Sequence, residues 1–185
     1  MPHLFNGRYA LSLGRPGYDT TADITACPGT DTCALGVTNS TGLASILEDL
    51  VRDEFPEMVT ENDIRIKISG CMNGCGQHMA ANIGFHGSSI RVGQKIAPAM
   101  QVVVGGGITE DGRGFVAEKV IKVPTRRIPQ AVRDLFNDYK TNTNAGEYYN
   151  DYVVRQGKRY FYDILKPLGD AKTITPQEFY DWGQD

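Results

Sequence analysis

The chain lacks several features that would assign it to a class of protein at once. No apolar run in its 185 residues approaches the length of a transmembrane helix, and the most apolar window, residues 100–104, has the length of a strand. The formal net charge is −3, which gives no reason to expect binding to nucleic acid or to an anionic membrane. The glycine triplet at 105–107 lacks the Lys and Ser or Thr of a phosphate-binding loop, so we expect a turn there.

Cysteine is also scarce, and its placement is informative. The only four cysteines form two pairs, Cys27 with Cys33 and Cys71 with Cys75, and Gly, Pro, Asn and Thr surround both pairs. Such residues are typical of turns, which can direct the sulfurs to a common centre. Soft thiolate ligands select iron-sulfur clusters, zinc or Cu(I), and four cysteines are the usual ligands of a [4Fe-4S] cluster.

Other uses of four cysteines stay open. Cysteine is a common buried apolar residue, but neither pair lies in a periodic apolar run. A disulfide framework is typical of short secreted domains, whereas this chain is long enough for a core and its first residues contain no apolar leader, so we expect a cytoplasmic protein. Zinc is the stronger rival, although five residues separate Cys27 from Cys33 and zinc pairs usually have two to four. The spacing favours an iron-sulfur cluster over zinc.

The sequence around these cysteines resembles the cluster-bearing C-terminal part of sirohaem-dependent sulfite and nitrite reductases. Thirty-seven residues separate the two pairs, and three residues separate Cys71 from Cys75. The matching segments follow in order from about Asp23 to the C-terminus: TACPGTDTCALG, ISGCMNGCGQH with ANIGFHG, QVVVGGG, RRIPQAV and EFYDWGQD. Five ordered matches make a chance resemblance implausible.

The resemblance implies two cofactors, a [4Fe-4S] cluster and sirohaem. It implies that the cluster is held by Cys27, Cys33, Cys71 and Cys75. It also implies that Cys75 is the proximal ligand of the sirohaem iron, so that one sulfur bridges the two centres and electrons pass from cluster to haem. Cys75 is therefore the predicted catalytic residue.

Residues beside the cysteines have predicted roles in binding the cofactors. Ala26 is small where the family packs the macrocycle against the first loop, and Asn73 offers an amide to a sirohaem carboxylate or a cluster sulfur, unless it is an ordinary turn residue. Gly74 and Gly76 flank Cys75, where they would leave room for the macrocycle and the cluster and allow positive φ angles.

Other polar residues near the motifs are weaker candidates. The Thr30 and Thr32 hydroxyls could bond to cluster sulfide, although capping of the turn is the favoured role. His78 could donate to the site, but a lone histidine is more often structural. Arg126 and Arg127 are candidates for a carboxylate or an electron-donor surface, against the simpler expectation of a solvated basic pair.

The resemblance further implies part of an enzyme that reduces sulfite to sulfide or nitrite to ammonia with six electrons. Anionic substrates and sirohaem carboxylates require clustered Arg and Lys, which are absent beside the cysteines. We therefore expect residues 1–185 to form a single sirohaem- and [4Fe-4S]-binding domain, a C-terminal fragment that is inactive without an N-terminal half. Ferredoxin or a flavoprotein is the expected electron donor. The alternative is a non-catalytic four-cysteine zinc or iron-sulfur interaction module.

The predicted fold is α+β, a mixed β-sheet with helices packed on it, like the nitrite/sulfite reductase 4Fe-4S domain. Alternation of apolar residues and turn signals predict strands over 23–26, 64–68, 81–85, 100–104 and 116–123. Helical spacing predicts a helix capped near Asn39, a helix from Pro129, two helical pieces broken near Gly157 and a short helix over 175–182. Both cysteine loops should project from the same end of the sheet.

Overall fold

The computed structural model describes residues 17–60, 64–108 and 111–184. Its seven strands are β1 Thr25–Ala26, β2 Ile66–Ser69, β3 Ile83–Val92, β4 Lys95–Val104, β5 Gly107–Ile108, β6 Gly114–Phe115 and β7 Glu118–Pro124. Its four α-helices are α1 Ser40–Glu54, α2 Ile128–Asn142, α3 Tyr149–Gln156 and α4 Lys158–Leu165. Short 3₁₀ helices lie at Gly29–Asp31, Pro56–Val59, His78–Ala80, Thr125–Arg127, Ala171–Thr173 and Pro176–Phe179.

Five strands form a mixed sheet in the order β1-β2-β3-β4-β7. β1, β2 and β3 are parallel, whereas β4 is antiparallel to both β3 and β7. β5 and β6 form a separate two-stranded ribbon. The expected mixed sheet with helices packed on it is therefore confirmed. None of the helices in the described ranges is long and apolar enough to span a bilayer.

The first half of the sheet follows the alternation in the sequence. Ile64, Ile66 and Ile68 are all buried, while Arg65 and Lys67 on the other face are partly exposed. α1 joins β1 to the parallel strand β2, because parallel neighbours need a crossover connection. This crossover accounts for most of the interval between the two cysteine pairs.

α1 begins where the sequence predicts. Asn39 is the N-cap, and its side chain accepts a hydrogen bond from the Gly42 N–H at 2.9 Å. The buried face of α1 includes Leu43, Leu47 and Val51. Ile46, which the periodicity places on that face, is instead 37% exposed, because it lies at the edge of the buried stripe.

The strands β3 and β4 are longer than predicted. The predicted strands 81–85 and 100–104 lie in the buried inner halves of a hairpin of two ten-residue strands, closed by a turn in which Gly93 has a φ of +62°. The outer half carries Ser89, Arg91 and Lys95, which reach solvent, so an apolar pattern does not mark it. The ladder of backbone hydrogen bonds nevertheless continues through it.

The C-terminal region also follows its local signals. α2 begins with Pro129 in its first turn, and the ring of Phe136 meets Phe55 edge-on with centroids 5.1 Å apart. α3 and α4 are separated at Gly157, which has a φ of +76°. The last helix is a 3₁₀ turn over Pro176–Phe179 with the expected capping box, so it is shorter than predicted and excludes Trp182.

Candidate metal centre

Both cysteine loops leave the sheet at the same end of its strands, as expected. Cys27 directly follows β1, and Cys71 follows β2 after Gly70. β1 and β2 are parallel neighbours in which Ala26 pairs with Ile68, so their carboxyl ends lie side by side. Both cysteine loops therefore begin at one end of the sheet, on neighbouring strands.

Backbone hydrogen bonds join the two loops. The Cys27 N–H donates to the Ile68 carbonyl at 3.1 Å, and the Val37 and Thr38 N–H groups both donate to the Gly70 carbonyl, at 2.8 and 3.1 Å. The loops also touch at Gly70, where an added Cβ would lie 2.5 Å from the Gly29 Cα. The absence of a side chain at Gly70 therefore allows the two cysteine loops to meet.

The four cysteines are free thiols. Cys27 and Cys71 are half-buried, and Cys33 and Cys75 are exposed. The Cys27 sulfur accepts a hydrogen bond from the Gly70 N–H at 3.1 Å. Burial raises the pKa of the Cys27 thiol, but hydrogen bonds led by the one from Gly70 outweigh burial, so this pKa lies below its ordinary value. The fold thereby favours a thiolate at Cys27.

The donor set fits an iron-sulfur cluster in its chemistry. It offers four soft ligands, none consumed in a disulfide, on two loops that are bonded to each other. In the described ranges, no three His, Cys, Asp or Glu side chains gather around a point suited to a single metal ion. A cubane takes one thiolate per iron, so its ligands are spread around the cluster rather than gathered at one ion.

The second loop is tied back to the strand that it leaves. The Gly76 N–H donates to the Ser69 Oγ at 3.0 Å, and a Cβ at Gly76 would lie 1.9 Å from the Ile68 carbonyl oxygen. Gly76 is buried and, unlike Gly74 with its φ of +79°, does not have a positive φ. The expectation that Gly76 leaves room for a cofactor is therefore corrected: β2 itself occupies that space.

The flanking residues with predicted cofactor roles lie beside the sulfurs. Asn73 is exposed, Gly74 is partly exposed, and Ala26 is half-buried against the core. Their roles in cofactor binding stay predictions. Thr30 and Thr32 are exposed, and their hydroxyls make no hydrogen bond to the described part of the chain, so the expected capping by them is not found there.

Arg126 and Arg127 are not a solvated pair. The Arg127 guanidinium pairs with the Glu178 carboxylate and donates to the Leu168 and Thr173 carbonyls at 3.0 and 2.7 Å. Arg126 stacks on the Trp182 ring, 4.7 Å from its centroid. Both side chains therefore hold the C-terminal segment against the domain, which the sequence pattern did not predict.

Exposed apolar side chains flank the cysteines. Leu35 and Val37 on the first loop are 69% and 48% exposed, and Met72 on the second loop is 72% exposed. We call these three residues the apolar rim. A cleft of about 870 Å³ lies elsewhere, among Asp19, Arg65 and Tyr148, and no cysteine lines it. The exposed apolar surface next to the cysteines is thus the apolar rim, and the cleft is not part of the cysteine site.

Comparison with known proteins assigns the family. The family profile of the nitrite and sulphite reductase 4Fe-4S domain matches residues 17–167. The chain belongs to this family. Membership supports the two cofactors implied by the resemblance, a [4Fe-4S] cluster and sirohaem.

Individual relatives agree with this assignment. The chain is 29% identical over 77% of its length to the assimilatory ferredoxin-dependent nitrite reductase of Haloferax mediterranei, and 28% identical over 80% to the sulfite reductase [NADPH] hemoprotein beta-component of Staphylococcus carnosus. It spans 24% and 25% of those proteins. The Mycobacterium tuberculosis NirA structure has the same fold, with a TM-score of 0.70 at 24% identity over 86% of this chain and 30% of that one.

Sequence reasoning missed two buried polar residues next to the second loop. Ser69 is completely buried at the end of β2, and His86 is buried on β3, with its ring 4.7 Å from that of His78. His78 is structural, as favoured, because it is buried and its Nδ1 lies 2.8 Å from the Ser69 Oγ. The available signal for Ser69 was a polar residue in an otherwise apolar strand pattern, two residues before Cys71.

Proposed function

We propose that this chain supplies the cluster ligands and the bridging thiolate of a sirohaem-dependent nitrite or sulfite reductase. The observation that carries the proposal is the pair of cysteine loops at neighbouring strand ends, joined through Gly70 and bearing four free thiols. In this proposal Cys27, Cys33, Cys71 and Cys75 each bind one iron, and Cys75 also binds the sirohaem iron. When bound, the coupled centres supply six-electron reduction of a small anion.

The apolar rim supports a second cofactor or a further protein segment beside the cysteines. Large apolar side chains grouped on a surface usually mark a face that another group covers. Leu35 and Val37 lie on the first cysteine loop and Met72 lies on the second, and these exposed side chains would offer apolar contact to a flat macrocycle held by Cys75. Ala26 and Gly74 would leave room for it, and the Asn73 amide would bond to one of its carboxylates.

Substrate binding requires residues from outside this chain. Sulfite and nitrite are anions, and their binding requires cations close to the metal. Arg127 is paired with Glu178, and Arg126 stacks on Trp182, so both point to the C-terminal segment. The chain spans about a quarter of the length of its curated relatives, and we propose that a preceding half supplies the basic residues and the rest of the pocket.

The electron donor and the cellular location are part of the proposal. The Haloferax relative is named for ferredoxin and the staphylococcal relative for NADPH, so ferredoxin and a flavoprotein both stay candidates. The cytoplasmic location expected from the sequence stays a prediction.

Metal analysis after reconstitution tests the proposal. The chain is incubated without oxygen with ferrous iron and sulfide, and iron, acid-labile sulfide and zinc are measured. We expect about four irons and four sulfides per chain and a brown protein. Replacing any one of the four cysteines by alanine should lower the iron content, whereas the exposed Ser89→Ala control should keep it. A colourless protein with one zinc per chain would refute this proposal and support the alternative, a non-catalytic interaction module.

Catalysis is tested separately. With sirohaem and a one-electron donor, the reconstituted chain should bind the haem and show no sustained reduction of sulfite or nitrite. Turnover should appear when the N-terminal half of a related reductase is added. Sustained turnover by this chain alone would refute the division of the active site between two halves.

A further inference from the structure

A single buried hydroxyl links both ends of the second cysteine loop. Ser69 is the last residue of β2 and is completely buried. Its Oγ accepts the Gly76 N–H at 3.0 Å and lies 2.8 Å from the Nδ1 of His78. Cys71 and Cys75 both lie within the ring that the Ser69–Gly76 hydrogen bond closes.

This hydrogen bond acts directly on Cys75. The Gly76 N–H belongs to the peptide unit whose carbonyl comes from Cys75, so the bond fixes the plane of that peptide. The direction of the Cys75 side chain depends on this plane and on the torsions that precede it. Cys75 is otherwise exposed, and the turn around it is closed by one further hydrogen bond, from the Gln77 N–H to the Gly74 carbonyl at 2.8 Å.

The number of available protons sets which group donates and which accepts among the Gly76 N–H, the Ser69 hydroxyl and the His78 Nδ1. The Ser69 Oγ accepts from Gly76, so its one hydrogen is free to donate, and the described residues give it no acceptor other than the His78 Nδ1. His78 accepts only when neutral. Burial, with the neighbouring His86 and Lys119, lowers its pKa to about 4, which keeps the ring neutral near pH 7.

His78 is itself fixed by packing. Its backbone carbonyl lies against Gly84 of β3, where an added Cβ would come within 2.0 Å of it. Its ring rests against His86, whose Nδ1 donates to the Gly87 carbonyl at 3.2 Å, so that the His86 Nε2 is a buried acceptor. His78 therefore offers Ser69 an acceptor that is held in place by β3.

We propose that Ser69 and His78 are positioning residues for Cys75: the Gly76 N–H, the Ser69 hydroxyl and the His78 Nδ1 form a chain that orients the bridging cysteine. The proposal rests on the cluster-binding function proposed above. Neither residue touches the cofactors in this scheme. Their effect reaches Cys75 only through the Cys75–Gly76 peptide.

The first test uses the cofactor-free full chain under reducing conditions. Amide hydrogen exchange of Gly76 is compared with that of Cys27, whose N–H is bonded to Ile68 on the other loop. Ser69→Ala should speed exchange at Gly76 about tenfold and leave Cys27 unchanged, as expected for one lost buried hydrogen bond. His78→Leu should act in the same direction, and His78→Asn, which keeps an acceptor near the Nδ1 position, should restore slow exchange.

Two results overturn the proposal. Unchanged exchange at Gly76 in both Ser69→Ala and His78→Leu would show that the hydrogen bonds through Ser69 do not restrain the second cysteine loop. Equal acceleration at Gly76 and Cys27 would show a general loss of stability rather than a local role. If Ser69→Ala fails to fold, the comparison of His78→Leu with His78→Asn decides the same question.

The second test uses the chain reconstituted with iron and sulfide. Electron paramagnetic resonance of the reduced cluster should give altered g values in Ser69→Ala and His78→Leu, and wild-type values in His78→Asn and in the exposed control Ser89→Ala. Wild-type g values in all variants would overturn the proposal. If the wild-type chain binds no cluster, the proposed function fails, while the exchange data still decide whether Ser69 and His78 hold the loop.

Discussion

Replacing Gly76 by alanine separates two reasons for a glycine beside Cys75. The new Cβ would lie 1.9 Å from the Ile68 carbonyl oxygen and 3.0 Å from the Ser69 Oγ. Cβ atoms essentially never come closer than 3.0 Å to such neighbours, so the loop or the strand must move by about 1.1 Å. Ile68 lies in an interior strand, where its backbone is paired with both Ala26 and Phe85, so moving it would disturb two strand pairings.

The cost follows from two effects. Overpacking a tight site costs about 1–3 kcal/mol, and weakening the Gly76–Ser69 hydrogen bond costs about 1 kcal/mol more. We therefore expect Gly76→Ala to lower the free energy of unfolding by about 3 kcal/mol. This is a large part of the 5–15 kcal/mol that is typical of a domain. The loss should be present without any cofactor.

Urea unfolding of the cofactor-free chain, followed by circular dichroism, measures this loss. Gly114→Ala is the matched control, because Gly114 is exposed, has nothing within 4 Å of its added Cβ and has no positive φ. The control should stay within about 0.5 kcal/mol of wild type. If Gly76→Ala is as stable as Gly114→Ala but no longer takes up iron, the glycine serves the cofactor and not β2, and the steric reasoning is wrong.

Three further predictions concern stability, each measured by urea unfolding. Arg127→Ala should cost about 3 kcal/mol because it leaves the Glu178 carboxylate buried without its partner, whereas Arg159→Ala, which breaks an exposed pair, should leave the free energy of unfolding close to that of wild type. Hydrogen bonding to Arg127 lowers the pKa of Glu178 to about 2, so the stabilisation by this pair is complete above about pH 4.5 and is lost as the pH falls towards 2. A Glu178→Gln chain should therefore lose less stability over that window than wild type, and an equal loss would contradict the assignment. Asn39→Ala should cost about 1 kcal/mol through the lost helix cap, and no loss would mean that the Gly42 N–H finds another acceptor.

Much of the fold could be predicted because its signals are local. The burial of Ile64, Ile66 and Ile68, the cap at Asn39 and the break at Gly157 each depend on a few neighbouring residues, and each is found as predicted, although β2 begins at Ile66 rather than at Ile64. The hairpin of β3 and β4 was predicted too short because its outer half depends on pairing between strands and not on burial. Burial marks a strand in sequence only where one face meets the core.

The parts of the site that could not be predicted depend on contacts between segments distant in sequence. Arg127 meets Glu178 fifty-one residues later, so the sequence shows only a basic pair before a helix. Gly76 was assigned to the cofactor because the sequence cannot show that the loop folds back onto Ile68. The Ser69–His78 contact spans only nine residues, but it needs the turn to be formed before the two side chains meet.

The long interval between the two cysteine pairs has a structural explanation. Two loops that share one cluster must start at the same edge of the sheet, and parallel strands satisfy this only when the chain returns along a crossover. α1 provides that return, and the hydrogen bonds from Val37 and Thr38 to Gly70 then join the two loops.

Because Gly70 is both the acceptor and the residue without a side chain at the contact, Gly70→Ala should separate the loops, since its Cβ would lie 2.5 Å from the Gly29 Cα. We expect iron binding to fall in Gly70→Ala while α1 keeps its helical circular dichroism, and full iron binding in this variant would refute the view that contact between the loops assembles the four thiolates.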